Sequence, residues 1–148
     1  LTDRAIAAIN ERGFDFIVIN YANADVIAKT ASFEGTKKAI LAIDKELGRL
    51  YVNAIPQGHT VFIVGSHGNA EMILDPITGV PEKTNNRNPV PIILIQKNLT
   101  RPKEQQLYGT IPTIGLLSDV APTILELMRL PIPPEMTGES LLSQLSNF

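Results

Sequence analysis

Cysteine and tryptophan are absent from the 148 residues, and only two histidines, His59 and His67, are present. Without cysteine there can be no disulfide, no thiolate nucleophile and no cysteine-ligated zinc, so any metal must sit on oxygen and nitrogen donors. Positive charge is not in excess either. Thirteen Lys and Arg face fifteen Asp and Glu, for a formal net charge of −2, and aromatics make up 5%. No window interleaves basic with aromatic residues, so nucleic acid is not an expected partner. Long hydrophobic runs are also missing. The longest, such as Val90 to Gln96, span a few residues, and the opening Leu-Thr-Asp-Arg lacks the charged-then-apolar order of a signal peptide. A soluble cytoplasmic protein with no membrane partner is expected.

What is present suits one α/β domain, 1–148: hydrophobic residues reach 44%, enough for a real core. Ala5, Ile6 and Ile9 recur at helical spacing between a Thr2 or Asp3 cap and Gly13, which predicts a short first helix. Phe14 to Asn20 is β-branched and aromatic, the pattern of a strand buried on both faces. Ser32 opens a long amphipathic helix to Leu50 through Ala39, Ile40, Ala42, Ile43 and Leu47. Thr60 to Val64 is a second strand, so the helix between implies a parallel crossover. Pro89 to Ile95 reads as a further strand with its prolines at the start. Thr100 to Thr110 has no period and reads as an exposed excursion. Ser118 and Asp119 start a last apolar helix ended by Pro131, and Pro133 to Leu142 is a turn-rich close.

Polar clusters stand at strand ends: Asn20, Asn23 and Asp25 after the first, and Ser66 to Glu71 after the second. Crevices outside the carboxyl ends of strands are where open α/β sheets bind ligands. The loop Glu82 to Asn88 is placed to fold over both. By themselves, Asp25 and His67 would mark little more than a polar pocket. His59 reads as a surface or satisfied histidine, Asn69 and Glu71 as caps of their own loop, Asp119 as an N-cap, and Met136-Thr137-Gly138 as a turn.

The phrases around these residues carry more. Asp15 to Asp25, Ser66-His67-Gly68-Asn69-Ala70-Glu71, Asn88-Pro89-Val90-Pro91, Leu117 to Leu127 and Met136 to Leu141 follow in an order that resembles the C-terminal part of cofactor-independent phosphoglycerate mutases, members of the alkaline phosphatase superfamily. The resemblance covers nearly the whole chain. It implies part of an alkaline phosphatase-like domain, a mainly parallel sheet flanked by helices. It also implies a glycolytic isomerase interconverting 2- and 3-phosphoglycerate, with two manganese or magnesium ions beside a phosphorylated serine. Hard anionic oxygens with imidazole suit such paired dications.

Against that pattern the chain departs. Asp25 and His67 match family metal ligands, which serve different ions. Lys29 stands where a histidine is expected four residues after Asp25, Ser66 replaces the aspartate before His67, and Asn85 aligns with a loop histidine. An ammonium cannot ligate while charged, and neutral oxygens bind weakly, so the resemblance implies a degenerate site with no metal or weakly bound metal. Lys29 either pairs with Asp25 in place of an ion or is a surface lysine.

The serine nucleophile and most substrate-binding groups of the family lie before the matching segment, so no catalytic residue is assigned and Ser66 is not promoted to one. Three functions remain open. One is a fragment of a longer mutase-like protein, inactive as an isolated chain. Another is a non-catalytic binding or interaction domain. The last is an active phosphatase or mutase with unorthodox ligands. The expected partners are the missing N-terminal part of a longer chain or a self-associated copy.

Overall fold

A computed structural model describes residues 1–99 and 112–146. The excursion expected over Thr100 to Thr110 lies outside the described residues. The chain forms two compact units, Leu1–Lys97 and Asn98–Phe148.

In the first unit, helix α1 covers Thr2–Glu11, α2 Asn23–Ala28 and α3 Phe33–Ala54, followed by a 3-10 turn at Ile55–Gln57 and strands β1 Val61–Val64 and β2 Ile92–Ile95. Helix α1 buries Ala5 and Ile9, the spacing read in the sequence, but its end differs. Arg12, not Gly13, takes the left-handed conformation at φ 54°. Thr2 does not cap; its hydroxyl shares a 2.8 Å hydrogen bond with the Tyr21 hydroxyl. Helix α3 begins as expected, with the Ser32 side chain accepting from the Gly35 N–H at 3.1 Å. It runs on past Leu50 to Ala54, and Gly58, at φ 87°, stops the 3-10 turn that follows. The core of this unit is Ala5 and Ile9 of α1 against Leu50 and Ala54 of α3, flanked by half-buried Ile6, Ile17, Ile19, Tyr21, Leu47 and Val61.

The α/β class holds, but the expected parallel crossover does not form. Residues 14–20 make no strand, and β1 pairs with β2 antiparallel, Val61 opposite Ile95 and Val64 opposite Ile92. The physical reason is visible in the burial. Ile17, Ile19 and Tyr21 turn inward while Phe14, Phe16 and Val18 stay exposed, so this segment packs one face on the core and forms no ladder with another strand among the described residues.

In the second unit a 3-10 turn at Leu117–Asp119 leads into α4, Val120–Leu127, and a short α5 covers Leu142–Ser146. Pro122 lies in the first turn of α4, as expected, and is buried. The helix stops before Pro131, at Met128, and Arg129 adopts φ 57°. Asp119 occupies the N-cap position without capping. Its carboxylate accepts instead from the N–H groups of Leu116 at 2.7 Å and Glu139 at 3.0 Å, which lowers its pKa.

Fully buried Thr123 joins the same two segments, its hydroxyl donating to the Asp119 carbonyl at 2.6 Å and accepting from the Leu141 N–H at 2.9 Å. Thr123→Val keeps the shape and strands the Leu141 N–H. A loss of about 1–3 kcal/mol is expected in denaturant unfolding, with faster amide exchange at Leu141.

Candidate metal centre

Helix α2 sets the first half of the site. Six residues are too few to show a periodic apolar pattern, and the helix is held from outside. The Asn23 amide donates to the Ala39 carbonyl of α3 at 3.1 Å, and a Cβ on Gly35 would lie 3.1 Å from Ile27, so the two helices meet closely. One turn separates Asp25 from its C-cap residue, Lys29, and residues four apart share a helix face. The Lys29 Nζ accordingly donates to Asp25 Oδ2 at 2.8 Å.

Strand β1 sets the second half. The Gly65 N–H donates to the Pro91 carbonyl at 3.0 Å, carrying the β1–β2 pairing one residue further, where a Cβ on Gly65 would come within 2.8 Å of Val90. The chain then delivers His67 and Asn69 beside Asp25. Asn69 is 2% exposed, and its amide donates to Asp25 Oδ1 at 2.7 Å. His67 Nε2 lies 3.9 Å from the same oxygen, beyond hydrogen-bond reach, while its Nδ1 is 3.3 Å from the Gly68 carbonyl. Ser66 is exposed. The donors of Lys29 first, and then Asn69, hold the Asp25 carboxyl below its ordinary value against a small opposing effect of burial.

The loop 82–88 does fold onto the second cluster, and Glu71 is its anchor. One Glu71 oxygen accepts from the Asn69 N–H at 2.7 Å, the other from the Asn86 and Asn88 amides at 2.8 and 2.9 Å. The Asn86 N–H reaches the Gly68 carbonyl at 2.9 Å, and the Asn86 side chain occupies the place where a Gly68 Cβ would stand. Asn85, the residue aligned with a family ligand, is exposed; its neighbour Asn86 faces Glu71. The sequence reading missed α2 and this asparagine–glutamate network. The recurrence of Asn at 69, 86 and 88 around one Glu was its only trace.

Burial pushes the Glu71 carboxyl up, yet the amides of Asn86 and Asn88 and the nearby backbone N–H groups outweigh it and hold the group below its ordinary value. A depressed carboxylate stabilises the fold at pH above its unfolded value and loses that stabilisation as pH falls through the folded one. Proteolytic cutting within 82–88 is therefore expected to be slow at neutral pH and to accelerate as the pH falls below the ordinary range of a glutamate. Glu71→Gln should accelerate cutting at neutral pH, at a cost of roughly 1–2 kcal/mol after allowing for solvent around Glu71, and flatten the pH dependence. An unchanged pH profile in the variant would remove Glu71 from this role.

This donor set does not fit a pair of dications. One Asp25 oxygen accepts from an ammonium and the other from an amide N–H, so each oxygen already meets a donor and a cation already stands at the carboxylate. Among the described residues no three His, Asp or Glu side chains gather in metal-binding range. A cavity of about 400 Å³ beside α1 and α3 is lined by Tyr21, Glu46 and Arg49 rather than by Asp25 or His67.

The family model described as the metalloenzyme superfamily matches residues 1–132, and the chain belongs to that superfamily. The 2,3-bisphosphoglycerate-independent phosphoglycerate mutase of Nostoc punctiforme is 46% identical over 145 residues, covering 96% of this chain and 26% of the relative. That of Clostridioides difficile is 42% identical over 144 residues, covering 97% and 27%. A crystal structure of Leishmania mexicana phosphoglycerate mutase at low cobalt concentration superposes with a TM-score of 0.73 at 20% identity, covering 93% of this chain and 27% of that one, a likeness of fold. The chain is thus a phosphoglycerate mutase-like metalloenzyme segment that spans about a quarter of the length of the curated relatives it matches.

Proposed function

We propose that this chain is the C-terminal segment of a phosphoglycerate mutase-like domain in which an internal ion pair stands where the family holds metal, so that the isolated chain transfers no phosphoryl group. The observation that carries the reading is the Lys29 ammonium seated 2.8 Å from Asp25 Oδ2. The lysine supplies one positive charge at the carboxylate that a dication would otherwise neutralise. Asn69 fixes the other oxygen, His67 stays alongside, and the local fold needs no ion to hold Asp25. The match over 1–132 runs across both compact units, which supports one domain of a longer protein. Of the family's proposed ligand positions Asp25 and His67 remain, while Lys29, Ser66 and Asn85 contribute no anionic oxygen or imidazole. Manganese or magnesium is accordingly absent or weakly held.

The lack of cysteine and the match to phosphoglycerate mutases support a cytoplasmic setting; no helix among the described residues is long and apolar enough to cross a membrane. The test is elemental analysis of the protein soaked in manganese and desalted. Far less than one ion per chain is expected, and no exchange between 2- and 3-phosphoglycerate. Retention of two ions per chain would overturn the reading.

A further inference from the structure

The carboxamide of Asn69 is buried and only half used. Its amide donates to Asp25 Oδ1 at 2.7 Å, while the buried Oδ1 of Asn69 meets no hydrogen-bond donor among the described residues. Turned over, the group would set its carbonyl against the carboxylate oxygen, acceptor against acceptor, so the bond to Asp25 alone fixes its orientation. A buried acceptor without a donor costs stability, and a loop cap has no need of one. Glu71 accepts the Asn69 backbone N–H at 2.7 Å, which any residue but proline could supply. What an asparagine side chain adds at this position is the bond to Asp25.

The same residue also carries the loop 82–88. The Gly68 carbonyl and the Asn69 N–H belong to one planar peptide unit. That carbonyl accepts from the Asn86 N–H at 2.9 Å, and that N–H donates to Glu71, whose other oxygen holds the Asn86 and Asn88 amides. Asn86 Oδ1 accepts in turn from the Asn88 N–H at 2.8 Å. Rotation of the 68–69 peptide therefore disturbs both of its bonds together, and the Asn69 side chain, branching from the next Cα, sets that rotation.

We propose that Asn69 is a positioning residue that couples the Asp25 carboxylate to the closure of the loop 82–88. With Asp25 Oδ1 in place, the carboxamide is anchored and the loop stays closed on Gly68. Without that oxygen the carboxamide has no partner at either end, leaves its buried place and turns the peptide that holds the loop. The coupling is separate from the metal reading, because an ion enters none of these bonds.

The experiment is amide hydrogen exchange at Asn86 in the full 148-residue chain, without metal, with the Leu50 N–H in the core of α3 as the control for folding. Asp25→Ala is expected to speed exchange at Asn86 at least about tenfold, the scale of losing a hydrogen bond to a charged group. In an Asn69→Leu background the same change should alter it by less than about threefold, since the apolar side chain has no bond to lose. Lys29→Met breaks the ion pair but leaves Oδ1 with Asn69, and should also stay within about threefold. Should Asn69→Leu lose the protection of Leu50, Asn69→Ala, which adds no bulk, provides the background for the same comparison. An Asn69 that is merely structural would leave Asp25→Ala with the same effect in both backgrounds, and that result would overturn the proposal. So would unchanged exchange at Asn86 after Asp25→Ala, or a response to Lys29→Met as large as the response to Asp25→Ala.

Discussion

Lys29→His, Ser66→Asp and Asn85→His introduced together are expected to tighten manganese binding by at least about 100-fold, a change on the scale of losing supporting groups around a metal ligand and larger where ligands themselves return. The first term is electrostatic. Two unit charges 4 Å apart interact by about 1 kcal/mol in water and about 4 kcal/mol near a protein surface, and both figures double for a dication facing an ammonium. The Lys29 side chain is 42% exposed, so the true value lies between these limits, and even the lower one exceeds a tenfold effect. The second term is coordination. The histidine at 29 would stand one helical turn from Asp25, where the ammonium now sits, and the aspartate at 66 would add the hard oxygen that Ser66 lacks. Lys29→Met separates the terms, since it removes the charge and adds no hard donor. It should recover only part of the gain. Equilibrium dialysis of the three proteins against manganese measures all of this, with no need for turnover. A triple variant as weak as wild type would mean that the cradle has lost its shape as well as its ligands, and that the ion pair is a consequence of that loss rather than a substitute for metal.

How far such a site is legible depends on the reach of each interaction. Helix α3 is legible because Ser32 and Gly35 announce its start within four residues and its apolar positions repeat over the next five turns. The Asp25–Lys29 pair is legible only as one of two alternatives that the resemblance offers, with Lys29 standing where a histidine is expected, because α2 carries too short a pattern for its helix face to be recognised. Asn69 shows the limit. Its N–H bonds to Glu71 two residues on, as local reading expects, while its amide reaches back 44 positions to Asp25. Nothing in the sequence between them encodes that meeting. Residues 14–20 show a different limit. β-Branched and aromatic residues make a strand competent to pair, but a ladder also needs a neighbour's free backbone edge, and composition says nothing of whether one is within reach. Here only alternate side chains find a surface to cover.

The same contrast governs Gly138, where the sequence marks a turn and the structure gives its reason. A Cβ at this position would lie 2.2 Å from the Ser118 carbonyl oxygen and 2.9 Å from Asp119 Oδ1. Ser118 contributes backbone here, which cannot swing aside as a side-chain end can. Gly138→Ala must therefore push the 136–139 segment off the 3-10 turn at Leu117–Asp119 or distort the turn itself. Either movement lengthens the bond from the Glu139 N–H to Asp119, now 3.0 Å, and loads the buried contact between Leu141 and Thr123. A cost of roughly 3 kcal/mol is expected, near the upper end for overpacking because steric and hydrogen-bond losses fall on one small unit. Gly13→Ala is the control: a Cβ at Gly13 meets nothing within 4 Å, and its effect should stay within about 0.5 kcal/mol. Amide exchange at Glu139 and Leu141 reads the result directly, with protection expected to fall more than about 100-fold in Gly138→Ala and to hold in Gly13→Ala. Equal protection in the two variants would show that the 136–139 segment does not lean on the start of α4, and the Asp119 carboxylate would then have to be stabilising its turn alone.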